Sequence, residues 1–156
     1  MILELEELKL SGIQARTSLE LEMDPETAKI GETVESFFGQ NLVKKIKARK
    51  RPGTTFCVYT DYESDFNGAY TFFIGEEVSD FEESLETLSI PSQRYVKFTS
   101  KPGPMPAVCI DLWQKIWAMT PEQLGGERSY IADFEVYDER AADHLNVVLD
   151  IYIGIK

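Results

Sequence analysis

Ile90-Pro91-Ser92-Gln93-Arg94-Tyr95-Val96-Lys97-Phe98 opens the last third of this chain; a segment holding Trp113 and Trp117, then Asp133-Phe134-Glu135-Val136-Tyr137, then residues 147–155, follow it. The order reads strand, helix, strand, strand. Residues 94–99 and 130–137 have strand composition. Leu145, Val147, Leu149, Ile151, Ile153 and Ile155 alternate without a break, which predicts a half-buried strand. Cys109, Leu112, Trp113, Ile116 and Trp117 recur at the spacing of one helix face, and Pro106 suits the opening of that helix. Gly125-Gly126 marks the break after it.

The first half follows the same order. Leu8 and Leu10 alternate with polar neighbours, and Gly12 shifts the phase, which predicts a strand with a bulge or bend. Asp24-Pro25-Glu26 has the chemistry of a helix start. Ile30, Val34, Phe37 and Phe38 follow at helical spacing, and Ile46 prolongs the pattern. Phe56 with Val58, and Tyr70 with Phe72 and Ile74, read as two strands of a hairpin joined near Asn67-Gly68. Ile30, Val34, Phe37 and Phe38 align with Cys109, Trp113, Ile116 and Trp117; Tyr62 aligns with Tyr137, and Ile74-Gly75 with Ile153-Gly154. Leu8 and Leu10 align with Leu88 and Ile90. The expectation is an α+β fold over residues 1–156, built from tandem pseudo-symmetric βαββ repeats of about residues 1–80 and 81–156. An antiparallel sheet, two main helices and a central ligand cleft would result. Neither half buries enough apolar surface to be comfortable alone.

Composition narrows the function. The formal net charge of −11 argues against general nucleic-acid binding, which needs an excess of Lys and Arg. Six basic residues between Lys44 and Arg51 read either as a solvated helix end or as a docking surface. The acidic run from Glu76 to Glu86 reads as a solvated linker. No apolar run is long enough for a bilayer, and the acidic N-terminus lacks a signal-peptide pattern, so a cytoplasmic location with no membrane partner is expected. Cys57, Cys109 and the single His144 offer neither a disulfide framework nor metal-ligand spacing. No metal and no cofactor are expected.

One acid stands out. On a strand, Glu135 shares a face with Ile131, Asp133 and Tyr137, while Tyr130, Ala132, Phe134 and Val136 point the other way into a core. That mixed face fits an exposed sheet surface or the wall of a partly wet pocket. In a pocket, the carboxylate could hold a cation with help from aromatic faces, worth about 0.5–2 kcal/mol each, or act as a general base on water. Trp113 and Trp117 could be core or cavity wall. Tyr95, Tyr59 and Tyr62 could face a central groove.

From Leu88 onward the chain resembles the GyrI-like family, the effector-binding domain of AraC- and MerR-type multidrug-responsive regulators and of stand-alone gyrase-inhibitor-like proteins. The matching pieces are Ile90-Pro91, residues 94–98, Leu112-Trp113-Gln114-Lys115-Ile116-Trp117, residues 133–138 and Asp150-Ile151-Tyr152-Ile153-Gly154-Ile155. In the first half mainly residues 68–78 fit. The family often carries a Ser-Gly-Tyr-like stretch after the helix, where this chain has Thr120-Pro121-Glu122-Gln123-Leu124-Gly125-Gly126. The resemblance implies two βαββ units with a cleft where they meet. It also implies a binding role there for Glu135, facing lipophilic, aromatic and often cationic ligands. Tyr95, Trp113, Trp117, Tyr137 and Tyr59 would be the aromatic walls. The implied function is sensing or sequestration of such a small molecule. The alternatives are a metal-independent hydrolase of cyclopropane-type genotoxins with Glu135 as its catalytic residue, and an interaction module for gyrase or a DNA-binding regulator. With no spare segment for a helix-turn-helix, direct operator binding is not expected.

Overall fold

The structure, a computed structural model, describes residues 1–81 and 85–156. Among the described residues eight strands form one antiparallel sheet. In chain order they are β1 (Ile2–Leu5), β2 (Leu8–Ser18), β3 (Thr55–Thr60), β4 (Ala69–Glu77), β5 (Glu86–Ile90), β6 (Gln93–Thr99), β7 (Arg128–Tyr137) and β8 (Asp150–Ile155). The helices are α1 (Leu19–Glu22), α2 (Ile30–Gly39), α3 (Ala107–Trp117) and α4 (Pro121–Leu124).

The strand order is β1-β6-β8-β7-β3-β4-β2-β5. Exchanging β1–β4 for β5–β8 reverses this order onto itself, so a pseudo-twofold axis passes through the central β3–β7 pair. Each unit also lends its leading strand to the other: β1 pairs with β6, and β5 with β2. Leu8 and Leu10 are therefore sheet partners of Ile90 and Leu88, and not their equivalents.

The links impose a curl. β1 and β2 are six places apart in the sheet, as are β5 and β6. In a flat sheet that is roughly 29 Å, yet the step from Leu5 to Leu8 can span only about 10 Å. The sheet must roll until its edges approach each other. Its concave side encloses Leu10, Phe56, Val58, Phe73, Ile90, Tyr95, Ala132, Phe134 and Val136. On the convex side α2 covers Cys57, Phe72 and Ile74, and α3 covers Val96, Ile151 and Ile153. Rolling also brings backbones close. Gly12 faces Gly75 across the β2–β4 ladder, and a Cβ on either would collide with the other strand. The glycine expected to mark a bulge instead permits an unbroken register from Leu10 to Ser18.

Other local expectations shift. Asp24 makes a turn, accepting from Glu26 N at 2.9 Å, and α2 begins only at Ile30. Its first free amides, Lys29 N and Ile30 N, donate to the Glu22 carboxylate, so a distant acid replaces the local cap. α2 stops at Gly39, and Asn41, in a left-handed conformation, separates it from a short 3-10 turn at Leu42–Lys45; Leu42 and Ile46 are buried. The regular part of the last strand begins at Asp150, while Leu145 lies exposed. The basic and acidic runs meet each other: Arg49 lies 3.6 Å from Glu76, and Lys50 lies 3.5 Å from Glu77. Glu76 is a buried residue of β4, which corrects the linker reading at that end, and residues 82–84 of the run lie outside the described residues. No helix among the described residues is long and apolar enough to cross a membrane.

Candidate functional site

Strand parity decides which side chains meet at the symmetry axis. On β3, Cys57 and Tyr59 face the helices; on β7, Asp133, Glu135 and Tyr137 do. Tyr59 and Tyr137 touch the cores beneath both α2 and α3, so they stand at the seam between the two helix layers. Between them lies Glu135, only 3% exposed.

The Glu135 carboxylate accepts from three neutral donors. Tyr59 OH lies 2.9 Å and Trp113 Nε1 2.7 Å from Oε2, and Tyr137 OH lies 2.6 Å from Oε1. Burying a carboxylate is costly unless such bonds compensate it. Here they satisfy the oxygens, but no cation among the described residues forms an ion pair with the charge. Burial first, and the Glu135 charge second, push the Tyr59 and Tyr137 hydroxyls and the Cys57 and Cys109 thiols well above their ordinary ranges. All four stay protonated at neutral pH, so neither free cysteine is poised as a thiolate nucleophile. Among the described residues no cluster of His, Cys, Asp or Glu could hold a metal ion.

Asp133 anchors a second network. It accepts from Tyr62 OH at 2.6 Å, Arg128 Nη2 at 2.5 Å and Gly154 N at 2.8 Å. Burial pushes the Arg128 guanidinium down, but Asp133 and Tyr62 push it up further, so it stays charged. It lies 4.6 Å from the centre of the Tyr130 ring. Tyr130 has positive φ, and the β7–β8 register slips between Arg128 and Asp133. Ile131, expected on the same face as Glu135, is exposed, whereas Glu135 is buried.

Above these networks opens a cavity of about 370 Å³, lined mainly by apolar and aromatic surface. Tyr59 and Trp113, two of the Glu135 donors, form part of its wall; Tyr62, Phe66, Tyr70 and Trp117 add further rings. Trp117 is 55% exposed and its ring centre lies 5.8 Å from that of Trp113, so it stands at the mouth. The volume lies at the small end of ligand pockets.

The structure thus brings together Glu135, Tyr59, Tyr137 and Trp113, with Trp117 at the rim. Tyr95 does not join them. It is 1% exposed on the concave side of the sheet, edge-on to Phe134 at 5.1 Å, and its hydroxyl has no hydrogen-bond partner among the described residues. On β6 it is Val96 that packs beneath α3, so Tyr95 must point away from the cavity. Glu22, Leu19, Ile30, Phe66, Tyr70 and Arg128 were not foreseen. Tyr70 was within reach, because hairpin parity puts it on the face of Phe72; nothing local marks Glu22 or Arg128.

Comparison with known proteins gives a consistent picture. The model of a family described as integron-associated effector binding protein, Cass2, matches residues 1–155. YobU of Bacillus subtilis (strain 168), which carries a provisional name as a transcriptional regulator, is 29% identical over 152 residues, covering 95% of this chain and 92% of that protein. The integron cassette protein VCH_CASS2 of Vibrio cholerae has a crystal structure that superposes with a TM-score of 0.79 at 30% identity, covering 100% of this chain and 95% of the other. SAV2435, solved with tetraphenylphosphonium bound, shares the fold with a TM-score of 0.76 at 13% identity, covering 100% of this chain and 93% of the other.

Proposed function

This chain belongs to the integron-associated effector-binding protein family, and from that premise we propose that it binds a lipophilic, aromatic, cationic small molecule in the cavity above Glu135. One observation carries the reading: a buried carboxylate, satisfied by neutral donors yet paired with no cation among the described residues, lies behind an aromatic wall. Donating to a carboxylate makes the Tyr59 and Trp113 rings richer in electrons, which strengthens their attraction for a cation. The charge therefore reaches the cavity through the rings that cover it. Glu135 is the anionic counter-charge in this account, Tyr59, Trp113 and Trp117 are the stacking walls, and Tyr137 holds the carboxylate. That SAV2435 has been solved with the aromatic cation tetraphenylphosphonium supports this choice of ligand class.

We further place the chain among the GyrI-like effector-binding domains, as one domain, on the strength of its pseudo-twofold sheet and the position of Glu135 at the axis. The provisional name of YobU supports a regulatory output, with a separate DNA-binding partner reading the bound state. Binding is favoured over hydrolysis because both Glu135 oxygens already accept hydrogen bonds, which makes the carboxylate a poor base toward water.

The test is a fluorescence titration with ethidium, followed by displacement with tetraphenylphosphonium. The wild type should bind both, and Glu135→Gln should lose roughly 30-fold or more in affinity. Unchanged affinity in Glu135→Gln would refute the role of the charge. Recovery of a chemically altered ligand would replace binding with turnover.

A further inference from the structure

Three carboxylates stand around the cavity, and they differ in what balances them. Asp133 is paired with Arg128. Glu135 accepts only from neutral donors. Glu22 itself lines the cavity, with Leu19 and Ile30. It too accepts only from neutral groups: Thr17 Oγ1 at 2.5 Å, Lys29 N at 2.8 Å and Ile30 N at 3.1 Å. The ammonium nearest in sequence, on Lys29, turns away to the Arg16 carbonyl at 3.0 Å. Among the described residues no salt bridge reaches Glu22.

Capping α2 accounts for the hydrogen bonds of Glu22 but not for its place in the wall of an apolar cavity. Its charge is felt there: burial, then Glu22, pushes the Tyr70 hydroxyl up to about 12. The cavity therefore has beside it two acids with no partner cation among the described residues, Glu22 in its lining and Glu135 behind Tyr59 and Trp113, one from each half of the chain. A ligand with a single cationic centre can answer only one of them. Two like charges left facing one apolar space repel each other and favour whatever brings positive charge to both.

We propose that the preferred effector is an aromatic dication, with one cationic end over Tyr59 and Trp113 and the other against Glu22 beside Tyr70. The proposal rests on the effector-binding reading of the same cavity and adds Glu22 as the residue that selects for the second charge. Arg128 does not oppose it, because Asp133 neutralises its charge and Tyr130 covers one face.

The experiment compares the fluorescent bis-amidinium phenylindole DAPI with its analogue lacking one amidinium. Both are titrated against the wild type, Glu22→Gln and Glu135→Gln, with thermal unfolding as a check on folding. The wild type should prefer DAPI by roughly tenfold, the scale of one half-buried ion pair. Glu22→Gln should reduce that preference to near unity, because it weakens DAPI far more than it weakens the mono-amidinium probe. Glu135→Gln should weaken both probes. Equal wild-type affinities overturn the dication proposal but leave the effector reading standing. An equal loss of both probes in Glu22→Gln also overturns it, since a cap acting only on structure would do that. Binding of neither probe by the wild type overturns both. Should Glu22→Gln fail to fold, the wild-type ratio decides alone, at low and at high salt.

Discussion

Glu76 in the first half and Glu135 in the second are both acids on the helix-facing side of an inner strand, 2% and 3% exposed. Their surroundings differ in kind. Glu76 lies 3.6 Å from the Arg49 guanidinium and accepts from Gly53 N at 3.3 Å, while its Oε1 has no partner among the described residues. Glu135 has both oxygens bonded but no cation. The first acid is neutralised by its own chain, with its hydrogen bonding left incomplete. The second is complete in hydrogen bonds and unanswered in charge. A buried acid with a resident cation belongs to the scaffold, whereas one held by neutral donors keeps a field that a visiting cation can use.

Exchanging each acid for its amide breaks the comparison most sharply. Glu135→Gln should lose roughly 30-fold or more in affinity for tetraphenylphosphonium, and Glu76→Gln should change it by less than about twofold. Calorimetric titration of both variants measures this. Next in size is Trp113→Phe, which removes the indole N–H from Glu135 and leaves a void beneath α3. Denaturant unfolding should report a loss of about 2–3 kcal/mol. Two tyrosines then sharpen the contrast between the faces of the sheet. Tyr59→Phe deprives a buried carboxylate of a donor and should cost about 1–2 kcal/mol. Tyr95→Phe removes a hydroxyl that is already unpartnered, so its unfolding free energy should stay within about 0.5 kcal/mol of wild type or rise.

The smallest effect is a pH dependence. Burial raises the Glu76 carboxyl above its ordinary 4.5, with Gly53 and Arg49 offsetting part of the rise. A raised folded-state value means the native state holds this proton more tightly than the unfolded chain. The stability it contributes is therefore present below pH 4.5 and is lost as pH rises through the folded-state value. Wild type should lose stability relative to Glu76→Gln over that rise, read from parallel urea titrations. The opposite slope would show that Arg49 outweighs burial.

The strand, helix, strand, strand part of each half was legible because alternation and helical spacing are local; the extra leading strands, β1 and β5, were not set apart. The parity of β7 was equally legible, and it placed Glu135 and Tyr137 together opposite the Phe134 core. Which face met the helices was not. Tyr95 and Val96 alternate in the same way whichever side is covered, so spacing leaves Tyr95 open to groove or core, and only the family resemblance points it to the cleft wall. The exchange of leading strands was also hidden, since it depends on the curl of the whole sheet. Asp24-Pro25-Glu26 has the right chemistry for a helix start, but the Glu22 carboxylate reached the free amides of α2 first. Contacts made through tertiary register, such as Tyr59 on Glu135 across the two halves, leave no mark in the spacing of residues.

The most direct test is a crystal structure of the protein with tetraphenylphosphonium. The phosphorus centre should lie in the cavity among Tyr59, Tyr70, Trp113 and Trp117, with Glu135 still held by Tyr59, Tyr137 and Trp113 behind the wall. A cation found instead in the polar hollow beside Lys101, Asp111 and Lys115, with the aromatic cavity empty, would contradict it.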